Sequence, residues 1–171
     1  MEQNELFSGT LQIWSDGAIN VHNEKRPGGW SSVYVYNKML ICTQWAGVAP
    51  TTSQRMELTG ALEGLKAIVE GRHPELQAIQ YNIIEVVSDS AYLINCMTQM
   101  WWMEWMYNGW VGASTNEPVK NVDLWKEIIS AKIAIESLGK KIIWTKVKGH
   151  CGILYNGVAD SLAVRGKKSV S

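Results

Sequence analysis

Net charge is absent from this chain of 171 residues, in which sixteen Lys and Arg balance sixteen Asp and Glu. A chain without net charge has no long-range field that would attract nucleic acid, an anionic membrane or an acidic substrate. Any such partner has to be recognised by a local patch. One basic patch is present in the sequence, because from position 140 onward seven Lys or Arg accompany a single acid, Asp160.

Cysteine is also scarce. The three cysteines, Cys42, Cys96 and Cys151, are an odd number without a Cys-x-x-Cys pair, which argues against a disulfide framework and a zinc ribbon. The chain has no apolar run of membrane-spanning length, and its first ten residues lack the basic and apolar parts of a signal peptide. We therefore expect reduced thiols in a cytoplasmic protein that does not enter a membrane.

The length and a hydrophobic content of 46% favour one domain with a single well-buried core. We expect a polar tail over residues 1–9, the domain over residues 10–166 and a basic tail over residues 167–171.

Hydrophobic patterning predicts an α/β domain with one mixed sheet. Residues 11–15, 30–36 and 39–46 resemble an antiparallel meander, whereas residues 81–87 are apolar on both faces and so predict an inner parallel strand. A last strand is predicted over residues 141–147. Amphipathic patterns predict helices over residues 51–69, from residue 91 into the next segment, over 121–138 and over 156–165. The result is a five-stranded mixed sheet, three strands antiparallel and two parallel, with helices on both faces.

Four acids lie at the ends or in the first turns of these elements. Asp16 follows the first apolar run, Glu57 lies in the first turn of its helix, Asp89 follows the inner strand, and Asp160 lies in the last helix. Each also has an ordinary explanation, since acids favour helix N-termini and Asp caps turns and helices. If they converge, their repulsion requires divalent cations. Oxygen ligands select Mg²⁺ or Mn²⁺, and two such ions are the usual apparatus for displacement at phosphate.

Residues 97–118 have the least usual composition of the chain, with four tryptophans and no Lys or Arg. Trp101 and Trp105 share one helical face, and Trp102 shares the next face with Met106. Core packing is the common explanation, whereas exposed Trp102 and Tyr107 would serve as stacking or interface residues. A glycine-flanked histidine, His150, is ordinarily a solvated loop side chain.

Together these pieces resemble type 1 ribonuclease H. The motifs that carry the resemblance occur in the family's order and span residues 11 to 165: Ser15-Asp16-Gly17, Thr-Thr-Ser-Gln-Arg-Met-Glu-Leu at 51–58, Ser88-Asp89-Ser90, Pro-Val-Lys-Asn-Val-Asp-Leu-Trp at 118–125, Val-Lys-Gly-His-Cys-Gly at 147–152 and Asn-Gly-Val-Ala-Asp-Ser-Leu-Ala at 156–163.

The resemblance implies a two-metal endonuclease that cuts the RNA strand of an RNA/DNA hybrid and leaves 3′-hydroxyl and 5′-phosphate ends. It assigns two Mg²⁺ ions, with Mn²⁺ as a substitute, to the four acids named above, and proton transfer or product release to His150. It also implies that Ser53 and Gln54 contact the minor groove, where 2′-hydroxyls distinguish RNA, and that Thr52 and Asn121 hold a DNA phosphate.

Two features depart from the family. Ser53 stands where an asparagine is common, so its groove contact is expected to be weaker or mediated by water. Residues 97–118 align with the family's basic handle but carry only Glu104 and Glu117 as charged residues, which predicts weaker, less salt-dependent binding. We expect this aromatic handle, through Trp102 and Trp105, to hold the hybrid by aromatic and shape contacts, or else to bind a protein partner. A monomer is expected.

Three other functions were considered for the same sequence. The Lys-Gly-His motif and the motif at 51–58 argue against another nuclease of this fold, such as a junction resolvase or a transposase-like enzyme. A silent hybrid-binding module is disfavoured because all four acids are present. An aromatic-rich interaction domain would require the order of the motifs to be accidental.

Overall fold

The structure is a computed structural model and describes residues 9–149 and 153–171. Within these ranges the chain forms five strands and six helices, in the following order: β1 (Gly9–Ile19), β2 (Gly28–Tyr36), β3 (Met39–Val48), α1 (Ser53–Glu70), α2 (Pro74–Gln77), β4 (Tyr81–Ser88), α3 (Ala91–Thr98), α4 (Trp101–Tyr107), α5 (Val122–Ser137), β5 (Lys141–Lys146) and α6 (Leu154–Ser169).

The strands form one mixed sheet in the order β3-β2-β1-β4-β5. Strand β1 pairs antiparallel with β2 and parallel with β4, and β4 pairs parallel with β5. The predicted five-stranded mixed sheet is confirmed. Strand β4 is an inner strand, as its continuous apolar run predicted, and its Ile84 and Val86 are completely buried.

The sheet carries helices on both faces. On one face, α1, α3 and α5 enclose the main core, where Leu11 and Ile13 of β1 pack with Leu58 of α1 and the fully buried Trp125 of α5. The other face carries α6 over a smaller apolar cluster that includes Trp14. The prediction of helices on both faces is confirmed, and β1 lies between the two layers.

Glycines set the distance between the helices and the sheet. A β-carbon placed on Gly60 of α1 would lie 2.9 Å from the Asp16 carbonyl oxygen, and one placed on Gly166 of α6 would lie 2.3 Å from the Ala46 carbonyl oxygen. Both helices therefore touch strand backbone directly. Since nearly every other residue type would clash there, the two glycines fix the height of α1 and α6 above the sheet.

Element boundaries differ most from the predictions in three places. Strand β1 continues past Asp16 to Ile19, where it still pairs with β2. Helix α6 runs to Ser169 rather than ending near Arg165, so residues 167–169 are helical and not a tail. The predicted continuous helix from residue 91 is broken into α3 and α4 at Met100, whose φ of 56° is left-handed.

No helix in the described part of the chain is both long enough and apolar enough to cross a membrane.

Two glycines of α6 provide a matched test of the close packing. Gly166→Ala places a methyl group against the β3 backbone and should lower the free energy of unfolding by about 1–3 kcal/mol. Gly157→Ala, on the exposed side of the same helix, where a β-carbon would meet no atom of the other described elements within 4 Å, should raise it by about 0.5–1 kcal/mol through helix propensity. Urea unfolding followed by circular dichroism measures both. Equal stabilisation by the two substitutions would refute the packing argument.

Candidate active site

Asp16 lies where the pairing of β1 with β4 stops. The parallel pairs end at Trp14 and Val87, while the antiparallel pairing with β2 continues through Asp16 and Ser31. Asp16 is therefore held by one neighbouring strand and faces a gap left by the other. Only 4% of the residue is exposed, and its Oδ1 accepts a hydrogen bond of 2.8 Å from the Gly17 backbone N–H.

Glu57 reaches Asp16 because β1 and α1 touch at Gly17. A β-carbon on Gly17 would lie 2.6 Å from the Glu57 backbone nitrogen, so a side chain at position 17 would separate the two acids. Thr52 caps α1 by accepting a hydrogen bond from the Arg55 backbone N–H. Because α1 begins at Ser53, Glu57 lies in its second turn and not in the first turn as predicted. Glu57 could be identified from the sequence, but the requirement for glycine at position 17 could not.

Asp89 completes the group from the end of β4. It follows Ser88, whose hydroxyl accepts a hydrogen bond from the Ser90 backbone N–H, and Ser90 in turn caps α3 through the Leu93 N–H. The neighbouring serines therefore satisfy the local turn and cap hydrogen bonds. A β-carbon on Gly149 would lie 3.0 Å from the Asp89 Oδ2, so the loop after β5 begins beside this carboxylate.

Asp16, Glu57 and Asp89 each place a carboxylate oxygen within 4.8 Å of the others. Burial and the Asp89 charge raise the pKa of Asp16 above its ordinary value. Burial followed by the Asp16 charge raises the pKa of Glu57. Three like charges in a confined site are unfavourable, because each disfavours ionisation of the others.

The three acids are suited to binding a cation. The Glu57 Oε2 is buried and has no hydrogen-bond partner among the residues that the structure describes, and a buried acceptor of this kind ordinarily has one. The group contains only carboxylate oxygens, which are the donors that Mg²⁺ and Mn²⁺ prefer. A divalent ion would satisfy the unpaired oxygen and offset the repulsion together.

The fourth predicted acid, Asp160, comes from α6 on the other face of the sheet. It stands apart from the group of three, but its charge adds to the raised pKa of Asp16. Asp160 lines an open cavity of 430 Å³ together with Arg165 and Lys168, so basic side chains lie on its outer side. The predicted proton-transfer residue, His150, lies outside the described residues.

The predicted substrate residues gather near the start of α1. Thr52, Ser53 and Gln54 are exposed there. The Arg55 guanidinium donates to the Asn121 Oδ1 at 3.3 Å and makes two hydrogen bonds to the Asp123 carboxylate, at 3.0 and 2.7 Å. Arg55 thus ties Asn121 to the first turn of α1. No role was predicted for Arg55, although an arginine beside predicted phosphate contacts was a usable signal.

The aromatic handle is partly buried. Trp105 packs between Trp101, Trp110 and the core residue Trp125, with ring centroids 5.7 to 6.5 Å apart. Trp102, for which exposure was considered, is half-buried, and Lys132 of α5 lies 5.6 Å from its ring centroid. Tyr107 is 92% exposed, as considered in the sequence analysis.

A cleft of 660 Å³ separates the start of α1 from the handle. Its lining includes Gln54, Tyr92, Glu104, Trp105 and residues 112–115 and 117–120. Among the described residues that line it, Lys120 is the one basic side chain, against Glu104 and Glu117. The cleft therefore offers aromatic and amide surface with little positive charge.

This chain is similar to known proteins in both its sequence and its fold. The family model described as RNase H matches residues 8–168. A ribonuclease H of Chlorobaculum parvum is 36% identical over 155 residues, which are 90% of this chain and 92% of that protein.

Two solved structures share the fold. The crystal structure of a type 1 ribonuclease H with the type 2 active-site motif superimposes with a TM-score of 0.74 at 24% identity, over 96% of this chain and 74% of that one. A foamy viral protease-reverse transcriptase in complex with an RNA/DNA hybrid gives a TM-score of 0.75 at 18% identity, over 95% of this chain and 20% of that one. From the family match and the sequence identity, the chain belongs to the ribonuclease H family.

Proposed function

We propose that this chain is an endonuclease that hydrolyses the RNA strand of RNA/DNA hybrids and leaves 3′-hydroxyl and 5′-phosphate ends. The observation that carries the proposal is the convergence of Asp16, Glu57 and Asp89 within 4.8 Å, with the Glu57 Oε2 buried and without a partner in the described part of the chain. Membership of the ribonuclease H family and the hybrid bound by the structurally similar foamy viral protein support the choice of substrate.

The four acids would hold two Mg²⁺ ions, or Mn²⁺ as a substitute, with Asp16 between them. When bound, such ions supply the positive charge that activates water and stabilises charge on the phosphate. Asp16 suits the central position because it is buried in the sheet and because the charges of Asp89 and Asp160 both act on its carboxylate. Asp160, which approaches from α6 at the edge of an open cavity, would complete the site from the solvent side.

His150 would assist proton transfer or product release. This role is supported by the place where its loop starts, since Gly149 lies against the Asp89 carboxylate. A side chain at position 149 would push the start of the loop away from Asp89. His150 follows Gly149 directly in the sequence, so a position beside the reacting phosphate would suit this role.

The start of α1 would bind the hybrid on both strands. Ser53 and Gln54, which are exposed in the first turn, would reach the minor groove, and Glu57 would contact a 2′-hydroxyl, the group that distinguishes RNA from DNA. Thr52 and Asn121 would hold a phosphate of the DNA strand. Arg55 would act as a positioning residue, because it joins Asn121 to α1 while its own charge is paired with Asp123.

The aromatic handle would hold the hybrid by shape and stacking. Trp105 lines the same cleft as Gln54 and would contact the hybrid there. Lys132 lies over the Trp102 ring, so Trp102 would act by positioning that lysine. The exposed side chains of Met100, Met103, Met106 and Tyr107 leave room for a protein partner on the outer side. We place the enzyme in the cytoplasm as a monomer.

Cleavage of labelled duplexes tests the activity. With Mg²⁺ the protein should cut the RNA of an RNA/DNA hybrid and leave RNA/RNA and DNA/DNA duplexes intact. Asp16→Asn should lower the rate more than about 100-fold, because even loss of an outer partner of a metal ligand costs about 10–100-fold.

A matched control is Glu85→Gln, which changes an acid of β4 that hydrogen-bonds Gln12 and Thr145 away from the site. It should leave the rate within a few-fold of the parent protein. Hybrid cleavage that persists in Asp16→Asn would rule out the proposed site, and equal cleavage of all duplexes would rule out the proposed substrate.

The raised pKa values predict that the metal-free protein loses stability as the pH rises. The pKa of Asp16 is raised to about 7 and that of Glu57 to about 9. In this window the folded state binds more protons than the unfolded state, so the free energy of unfolding falls with rising pH, by roughly 3 kcal/mol or more between about pH 5 and 9.

Denaturant unfolding in chelator measures this pH dependence. Glu57→Gln should flatten it, and saturating Mg²⁺ should restore stability at high pH in the parent protein but less so in the variant. The same slope in both proteins would show that the carboxylates do not interact as described.

A salt titration of hybrid binding tests the handle. Using Asp16→Asn protein to prevent cleavage, Met103→Lys and Met106→Lys should each steepen the dependence of log affinity on log salt by about 0.7–0.9 if the new charge reaches a phosphate. Val69→Lys, at the far end of α1 from Gln54, should leave the slope unchanged. A parent slope as steep as that of a relative with a basic handle would refute binding by aromatic and shape contacts.

A further inference from the structure

A second group of metal-ligating side chains lies at the β3 edge of the sheet. It consists of Cys42 on β3 and of His73 and Glu75, which lie in and beside the single turn of α2. One ligand atom from each residue lies within 4.8 Å of the others. Cys42 and His73 are half-buried and Glu75 is exposed, so solvent reaches the group from one side.

Hydrogen bonds fix which ring nitrogen of His73 is free. The Ser32 hydroxyl donates to the Gly60 carbonyl at 2.7 Å, so it can only accept from the Gln44 Nε2, which is 3.4 Å away. This orients the Gln44 Oε1 toward the His73 Nε2 at 2.9 Å. Because an amide oxygen only accepts, the Nε2 carries a proton, so in the neutral imidazole the Nδ1 is the nitrogen with the lone pair.

This arrangement is typical of a histidine that binds metal, in which one ring nitrogen donates to a fixed acceptor and the other is the ligand. The Tyr34 ring packs against the His73 ring with centroids 5.5 Å apart, which further restricts rotation of the imidazole. Tyr34 pairs with Cys42 across β2 and β3, so the thiol and the oriented imidazole are attached to the same rigid part of the sheet.

We propose that Cys42, His73 and Glu75 bind one Zn²⁺ ion, with water as the fourth ligand. A set of ligands that contains a thiolate and an imidazole beside a carboxylate is typical of zinc sites, whereas magnesium sites use oxygen ligands. Ligand atoms around zinc lie about 3.3–3.8 Å apart. The ligand atoms of these side chains lie up to 4.8 Å apart, so they need to come closer to one another by about 1 Å.

The ion would join the edge strand β3 to the connection between α1 and β4. Zinc binds the thiolate form of cysteine, so binding of Zn²⁺ forms the zinc–sulfur bond and releases the thiol proton to solvent. The expected consequence is a protein that melts at a higher temperature with zinc, whether or not it is cleaving substrate.

Cobalt(II) is the spectroscopic probe for this site. The reduced, full-length protein is titrated with Co²⁺ in excess Mg²⁺, which occupies the carboxylates of the active site. One equivalent should produce the near-ultraviolet charge-transfer band of a cobalt thiolate, which carboxylates cannot give, and Zn²⁺ should then abolish the band. Absence of the band in the parent protein would overturn the proposal without any variant.

Variants identify the ligands. Cys42→Ser should abolish the band and weaken Zn²⁺ binding by at least about 100-fold. Gln44→Leu, which removes the hydrogen-bond partner of His73 and keeps all three ligands, should weaken binding by about 10-fold or more. Cys96→Ala and His22→Gln change a buried thiol elsewhere and an exposed histidine and should leave binding unchanged. A band that survives Cys42→Ser would overturn the proposal, as would a zinc-induced rise in melting temperature of equal size in Cys42→Ser and the parent protein.

Discussion

Direct contact between α1 and β1 is the interaction on which the site depends. Gly17 lets the strand touch the backbone around Met56 and Glu57, and Gly60 lets the helix touch the carbonyl oxygen of Asp16. Two buried acids are thereby held together although their charges repel each other and raise both pKa values. The energy that holds them comes from elsewhere in the same helix, where Leu58, Leu62 and Leu65 are buried in the main core. Packing of the helix thus keeps the two carboxylates together although they repel each other. A cation bound between them would offset this repulsion.

Much of the fold could be predicted from the sequence, because it follows from local pattern. The apolar run of β4 indicated an inner strand, and the spacing of Leu58, Leu62 and Leu65 indicated α1. The boundaries were less predictable, since they depend on partners distant in sequence. Strand β1 continues beyond Asp16 because β2 still pairs with it there, and no local pattern in residues 15–19 reports that pairing.

The candidate site divides in the same way. Asp16, Glu57 and Asp89 could be identified from their places in motifs, but their convergence could not, because it depends on the close contact between α1 and β1 at Gly17. The role of Arg55 could not be predicted either, because its partners Asn121 and Asp123 come from a different helix. The same is true of Lys126 and Lys132, which lie over the rings of Trp110 and Trp102. A handle without cations in its own sequence therefore has cations beside it, supplied by α5.

Helix α1 has a different donor chemistry at each end. Its first turns carry Glu57 into a group made only of carboxylate oxygens, and its last turn ends at Gly71, whose φ of 64° turns the chain toward His73 and Glu75. An 18-residue helix is about 27 Å long, which is far more than the reach of any side chain, so the two groups cannot exchange ligands. Their donors also select different ions, since a thiolate and an imidazole favour zinc whereas carboxylates alone favour magnesium. Distance and donor type together would let one helix support an ion for chemistry at one end and an ion for stability at the other, without either ion displacing the other.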